Sequence, residues 1–304
     1  MKILAIYFTQ SGQQATIVQT LLKPFIDAGD EVHYEVLKPV ESYPFPWSAF
    51  TFFNAFPETF HQRPLALQPL SQKAFDSYDL VVLGYQPWFL TPSRPVSSFL
   101  QSPDAAKVLG GKPVVTILGS RNMWLGAQEK VKKRLIDAKA NLIGHIALVD
   151  KSGNLTSLVT ILRWMLWGKK EPFWFFPAAG VATQDVEHTS VFGGIIRKAM
   201  VLKEFGKLQK DLNDNGAILV KPNLVLMEKR GQRGFGVWSK FVLAGGEPGS
   251  PGRNRRVRTF MFVLPTAIVI LSPLLFILSK VLLIVKRKQL REEAEYHMQN
   301  SLKS

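Results

Sequence analysis

Five short apolar runs punctuate the first half of the chain, with segments of helical periodicity between them. The runs Ile3–Phe8, Glu31–Leu37, Asp79–Gly84, Pro113–Gly119 and Asn141–Val149 are rich in Val, Ile and Leu and read as strands. Between them, Thr16–Ala28, Pro95–Leu100 and Ala127–Lys139 carry apolar residues at the spacing of amphipathic helices. Strands alternating with helices predict an α/β fold, a parallel sheet covered on both faces. The first run stops at Thr9-Gln10-Ser11-Gly12-Gln13, and a helical pattern follows at once. A buried strand feeding such a loop into a helix N-terminus aims backbone N–H groups and hydroxyls at one point, with the helix dipole behind them.

That loop holds no Lys and no G-x-x-x-x-G-K-[ST] pattern, so it is not a nucleoside-triphosphate P-loop, and G-x-G-x-x-G is also missing. What remains is a short hydroxyl loop suited to one phosphate, the type that holds the FMN phosphate in flavodoxin-like proteins. Five strands in this arrangement predict the flavodoxin-like doubly wound parallel sheet, order 2-1-3-4-5, with its ligand at the carboxyl ends of the strands. Two further strand ends carry suitable residues, Tyr85-Gln86-Pro87-Trp88-Phe89 after Gly84 and Ser120-Arg121-Asn122-Met123-Trp124 after Gly119. Aromatic rings there can stack on an isoalloxazine, and amides can meet its pyrimidine edge. FMN is therefore the expected cofactor. The candidate binding residues are Thr9, Gln10, Ser11, Gly12, Gln13, Tyr85, Gln86, Trp88, Gly119, Ser120, Asn122 and Trp124.

Composition narrows the chemistry. The 304 residues include no Cys, which excludes thiol nucleophiles, disulfides and Fe–S clusters, and the five His show no metal-ligand spacing. The first strand begins too early to leave room for a signal segment, so the flavin-binding part is expected to face the cytosol.

The net charge of +15 is uneven, with thirteen Lys/Arg from Lys229 to Arg291 against the single acid Glu247. Inside that block, Thr259–Ser279 is an uncharged run of 21 residues. This is the length a membrane anchor needs, and basic clusters at both ends suit anionic headgroups. Arg253, Arg255, Arg256 and Arg258 on one side balance Lys280, Lys286, Arg287, Lys288 and Arg291 on the other, so charge does not choose between a spanning and a re-entrant segment. The expected organisation is a flavodoxin-like domain over 1–150 with an aromatic insertion at 39–69, an aromatic and helical extension over 151–228, a basic linker over 229–258, an anchor over 259–285 and a charged tail over 286–304. Within the extension, residues 155–177 mix Trp and Phe with basic residues, fitting either a headgroup interface or a helix packed on the domain. The Phe-rich insertion is expected to act as a lid over a hydrophobic substrate, and Lys221–Arg258 to be largely irregular.

The set YFTQSGQ (7–13), PFPW (44–47), FFNAFPE (52–58), YQPWFLTPS (85–93), GSRNMW (119–124), QEKVKK (128–133), LRWM (162–165) and GEPGSPGRNRR (246–256) resembles bacterial dialkylresorcinol condensing enzymes. These belong to pathways for dialkylresorcinol lipids and flexirubin-type pigments, and the resemblance covers most of the chain. Gln14 stands where the flavodoxin loop usually has a second Thr. The resemblance implies a membrane-attached FMN oxidoreductase that converts a ketosynthase-derived dialkylcyclohexanedione into the aromatic resorcinol. It also implies a hydrophobic small-molecule substrate, contact with membrane lipids and a ketosynthase of the same pathway as partner, while the uncharged run inside the basic block argues against nucleic acid. For that reaction the chain offers Arg121, which either stabilises an enolate or pairs with an acid, and Tyr85 as proton handler. The alternative is a flavodoxin-like NAD(P)H:quinone oxidoreductase at the membrane. A one-electron carrier or a scaffold without cofactor would also retain the fold.

Overall fold

The computed structural model describes residues 1–301, leaving out the side chains of residues 154, 268, 269, 271–273, 275 and 276. Residues 302–304 of the expected tail, and those side chains of the expected anchor, lie outside the described residues.

The chain opens with β1 (Lys2–Tyr7), α1 (Gln13–Asp27) and β2 (Glu31–Val36). Two short helices, α2 (Ala49–Asn54) and α3 (Phe56–Phe60), precede β3 (Leu80–Tyr85). A small hairpin of β4 (Pro87–Trp88) and β5 (Thr91–Pro92) leads to α4 (Arg94–Leu100) and α5 (Pro103–Leu109). Then come β6 (Pro113–Ser120), α6 (Leu125–Asp137) and β7 (Asn141–Val149). The remainder is helical: α7 (Asn154–Trp167), α8 (Thr183–Leu202), α9 (Leu208–Asp214), α10 (Pro222–Leu243), α11 (Pro251–Val285) and α12 (Arg287–His297).

The five long strands form one parallel sheet in the order β2-β1-β3-β6-β7. The expected order 2-1-3-4-5 becomes 2-1-3-6-7 because the two-residue hairpin strands fall between the third and fourth strands of the sheet. Strands β1, β3 and β6 lie side by side at the centre, and their buried runs read as unbroken apolar stretches because both faces are covered. The chain steps one way from β1 to β2 and the other way from β1 to β3. Right-handed crossovers therefore place α1 and α6 on opposite faces, with the switch at the carboxyl end of β1.

Two glycines let α1 settle on the sheet. A Cβ on Gly84 would lie 2.6 Å from Val18 Cγ2, and one on Gly119 would lie 2.9 Å from Ile17 Cδ1. Helix α8 returns after β7 and packs against α1, where Gly193 allows the backbones to touch.

The second half corrects several expectations. Lys221–Arg258 is not an irregular connection: α10 occupies most of it and α11 begins at Pro251. The insertion is not a free lid either. Phe56 joins Val242, Val257 and Phe260 in a second hydrophobic core, flanked by Phe53, Phe60, Phe89, Phe235 and Trp238. Arg253 is fully buried there, and its guanidinium donates to both Glu58 carboxylate oxygens at 3.0 and 2.7 Å. In the 155–177 stretch, Trp164 is buried against the domain whereas Trp167, Trp174 and Phe175 are exposed. Among the described residues, no helix is long and apolar enough to cross a membrane.

Candidate functional site

Because β1, β3 and β6 are neighbours, residues 8–13, 85–90 and 120–124 share one edge of the sheet. In the first loop the chain turns through Gly12 at φ 86°, a conformation open to glycine at little cost. The Gly12 N–H donates to Thr9 Oγ1 at 3.1 Å, so Thr9 shapes the turn. Among the described residues no side chain caps α1, and no acid occupies its first turn, which leaves its leading amides and positive dipole end open to an anion. Ser11 sits beside them, half-buried.

The two candidate glutamines act otherwise than expected. Gln10 donates to the carbonyls of Tyr43 and Pro44, tying the loop to the insertion. Gln13 exchanges hydrogen bonds with the backbone of Val181. Their side chains brace the loop, while Ser11 and the α1 amides remain for a phosphate. Gln14, the departure from the usual flavodoxin loop, is buried and bridges α1 to β6. It donates to the Ile117 carbonyl at 3.1 Å and accepts from the Gly119 N–H at 3.0 Å. The Gly119 amide is thereby committed to protein, not to a cofactor.

Tyr85 belongs to β3 and is completely buried, so it neither frames an open cleft nor handles a substrate proton. Its hydroxyl donates to Gln128 Oε1 at 2.5 Å. Burial pushes its phenol well above the usual range, with the Glu228 and Glu129 charges adding to the shift. Gln128 donates to Thr116 Oγ1, which meets His145 Nδ1 at 2.8 Å. Burial holds His145 at about 3, so its ring is neutral. Trp124 is also fully buried, its ring 5.2 Å from that of His145. These residues form a polar core under α6.

Trp88, Gln86, Ser120, Arg121 and Asn122 stay half-buried at the strand ends. Trp88 presents edge contacts to Phe8, Tyr43 and Trp47, with centroids 5.7, 5.1 and 5.5 Å away, making an aromatic wall beside the first loop. Among the described residues Gln86 Oε1 is a buried oxygen with no hydrogen-bond partner, and so is available to a ligand N–H. Burial lowers the Arg121 guanidinium, opposed by the Asp150 carboxylate.

Sequence reasoning missed Glu228. This α10 carboxylate is buried and accepts the N–H groups of Leu125 and Gly126 at 2.9 and 2.6 Å, capping α6 immediately after the third loop. From the same helix Gln232 donates to the Leu90 carbonyl, so α10 fixes two of the three loops at once. Its sequence signal, a position three residues after Val225 on the same helical face, is masked by Gly231, Gly234 and Gly236.

Burial raises the Glu228 carboxyl to about 7, opposed by the backbone N–H groups of Gly126, Leu125 and Trp124 and by Lys130, itself lowered to about 8 by burial. The folded protein thus binds this proton more tightly than the unfolded chain does. The contribution is complete below the unfolded pKa and is lost as pH rises through about 7. Thermal unfolding of wild type and Glu228→Gln between about pH 5 and pH 8 is expected to show a steeper decline for wild type, by up to about 3 kcal/mol. Parallel curves would contradict it.

No family model matches the chain, and no curated protein matches its sequence. Solved structures do. A flavoprotein in complex with FMN from Lactobacillus acidophilus is 16% identical, covering 48% of this chain and 92% of that one at a TM-score of 0.38. A putative flavoprotein from Bacteroides uniformis is 17% identical, covering 54% and 97% at 0.38. A flavone reductase is 12% identical, covering 67% and 65% at 0.38. The likeness is distant. The sheet order and crossovers of the chain itself are those of the flavodoxin-like fold.

Proposed function

We propose that this chain is an FMN-dependent oxidoreductase that aromatises a dialkylcyclohexane-1,3-dione to a dialkylresorcinol. The observation that carries the reading is the uncapped, acid-free N-terminus of α1 beside the wall of Trp88, Tyr43 and Trp47. It offers a phosphate seat next to apolar aromatic surface, and the orphaned Gln86 oxygen fits a flavin pyrimidine N–H. Ser11 and the α1 amides would hold the phosphate. FMN, when bound, supplies a two-electron acceptor for a hydride.

The conversion removes two hydrogens, one as a hydride from a ring carbon and one as a proton released to solvent. A 1,3-dione is already acidic, so the chain needs to stabilise an enolate more than to provide a strong base. Arg121 fits that task, since its guanidinium sits half-buried at the sheet edge, where charge interactions gain strength from reduced solvation. The aromatic wall excludes water and receives an alkyl substituent.

Purified protein titrated with FMN is expected to quench flavin fluorescence, and Ser11→Asp to weaken that binding at least tenfold through repulsion of the phosphate. Anaerobic addition of the dione should bleach the bound flavin and yield one resorcinol per flavin. Flavin uptake without product would overturn the substrate reading. Rapid bleaching by NAD(P)H, followed by transfer to a quinone, would favour the quinone oxidoreductase.

A further inference from the structure

Helix α11 carries an apolar stripe that is left exposed among the described residues. Val263, Ile270, Leu274, Ile277, Val281 and Ile284 are all exposed. From Ile270 onward their spacing is four, three, four and three, so they share one helix face, and the whole set runs along about 30 Å of helix.

Both ends of this helix are fastened to the same body. At its start, Arg253 is paired with Glu58, and Val257 and Phe260 are buried in the second core. Near its end, Arg230 of α10 donates to Ser279 Oγ at 2.8 Å, and Leu282 and Leu283 pack on the main core. Beyond it, α12 folds back. Leu290 and Ala294 are buried, Glu293 pairs with Lys229 at 2.5 Å, and Tyr296 donates to Glu129 at 2.6 Å. Lys132 of α6 then donates to the carbonyls of Gln299 and Ser301.

Charge selects the occupant of the stripe. Exposed Arg255 and Arg258 stand at one end and exposed Lys286, Arg287 and Lys288 at the other, with exposed Lys280 flanking the stripe near that second end and no acid between Pro251 and Lys288. Arg255 and Arg258 also line an open groove of about 520 Å³ with Thr259 and Phe262, which sets two guanidinium groups beside an exposed ring. An apolar ridge with cations at both ends matches the boundary between acyl chains and anionic headgroups.

We infer that α11 is an in-plane docking helix for an anionic lipid bilayer, lying along the membrane surface with the tail on the same side as the domain. The stripe enters the acyl boundary and the basic ends hold headgroup phosphates. This surface is independent of the redox chemistry proposed above and stands if that substrate is wrong.

The full chain, free of detergent, is mixed with phosphatidylcholine vesicles and with vesicles that also contain phosphatidylglycerol. Sedimentation is expected with the anionic vesicles and weakly with the neutral ones, and it should fall as salt rises. Arg255→Gln with Arg258→Gln should reduce partitioning about 30-fold. Ile277→Asn with Ile284→Asn, two exposed sites, should also release the protein while leaving circular dichroism unchanged. Equal binding to both vesicle types, or a dimer in solution that buries the stripe, would overturn the inference.

Sidedness has a separate readout, because the chain lacks Cys. In membrane vesicles from expressing cells, Ser301→Cys and Lys73→Cys should react with an impermeant maleimide from the same side. Labelling from opposite faces would mean that the helix crosses, and would sink the in-plane arrangement.

Discussion

Replacing Arg253 with Met is expected to destabilise the protein by about 3–5 kcal/mol, the usual cost of leaving a buried carboxylate without its partner. Arg253 has no solvent exposure, and besides Glu58 its guanidinium meets Asn54 Oδ1 at 3.2 Å and the Asn54 carbonyl at 3.0 Å. In Arg253→Met the buried Glu58 carboxylate stays beside Phe56 and its neighbours without its cation. Arg253→Met combined with Glu58→Leu should recover much of the loss, because an apolar pair removes the desolvation problem. Urea unfolding followed by tryptophan fluorescence reads this directly, since Trp238 lies 5.2 Å from Phe260 in the same cluster. Equal destabilisation by the single and double variants would show that packing, not charge pairing, governs the site.

A second pair of variants, at adjacent positions, should differ sharply in stability. A Cβ at Gly193 would lie 1.9 Å from the carbonyl oxygen of Leu21, a clash with backbone that rotamer changes cannot relieve. Gly193→Ala is therefore expected to push α8 from α1 and to cost about 3 kcal/mol or more, the severe end of overpacking. It should weaken FMN binding too, because α1 presents the phosphate seat. A Cβ at Gly194 meets nothing within 4 Å. Gly194→Ala should be neutral or stabilise α8 by up to about 1 kcal/mol, through its higher helix propensity. Melting temperatures of the two proteins test this, and a shift of the same sign in both would refute the close-approach argument.

The strands and their ligand edge were legible because apolar runs bounded by Gly and Ser/Thr report local structure. Ile3–Phe8 and Asn141–Val149 differ by at most one residue at either end from β1 and β7. Where the structure departs from the local pattern, the deciding contact is distant in sequence. Tyr85 looked like a loop aromatic, but β3 runs one residue beyond Gly84 and turns its ring into the core toward Gln128. The three glycines of α10 suggested a linker. Gly231 in fact permits close approach, since a Cβ there would lie 2.9 Å from Leu90 and 3.0 Å from Met123. No local pattern could reveal that Gln10 and Gln13 would spend their amides on residues 43–44 and 181. The Phe-rich insertion looked unpartnered because its partner helices lie near the other end of the chain.

That separation has a consequence for biogenesis. Glu58 leaves the ribosome 195 residues before Arg253 does. At about 5–20 residues per second, the insertion waits roughly 10–40 seconds for the helices that cover it. Throughout that interval Phe53, Phe56 and Phe60 have no second core to join. Nascent chains of this protein should therefore engage holdase chaperones between synthesis of the insertion and synthesis of α11, and a chain halted before α11 should aggregate.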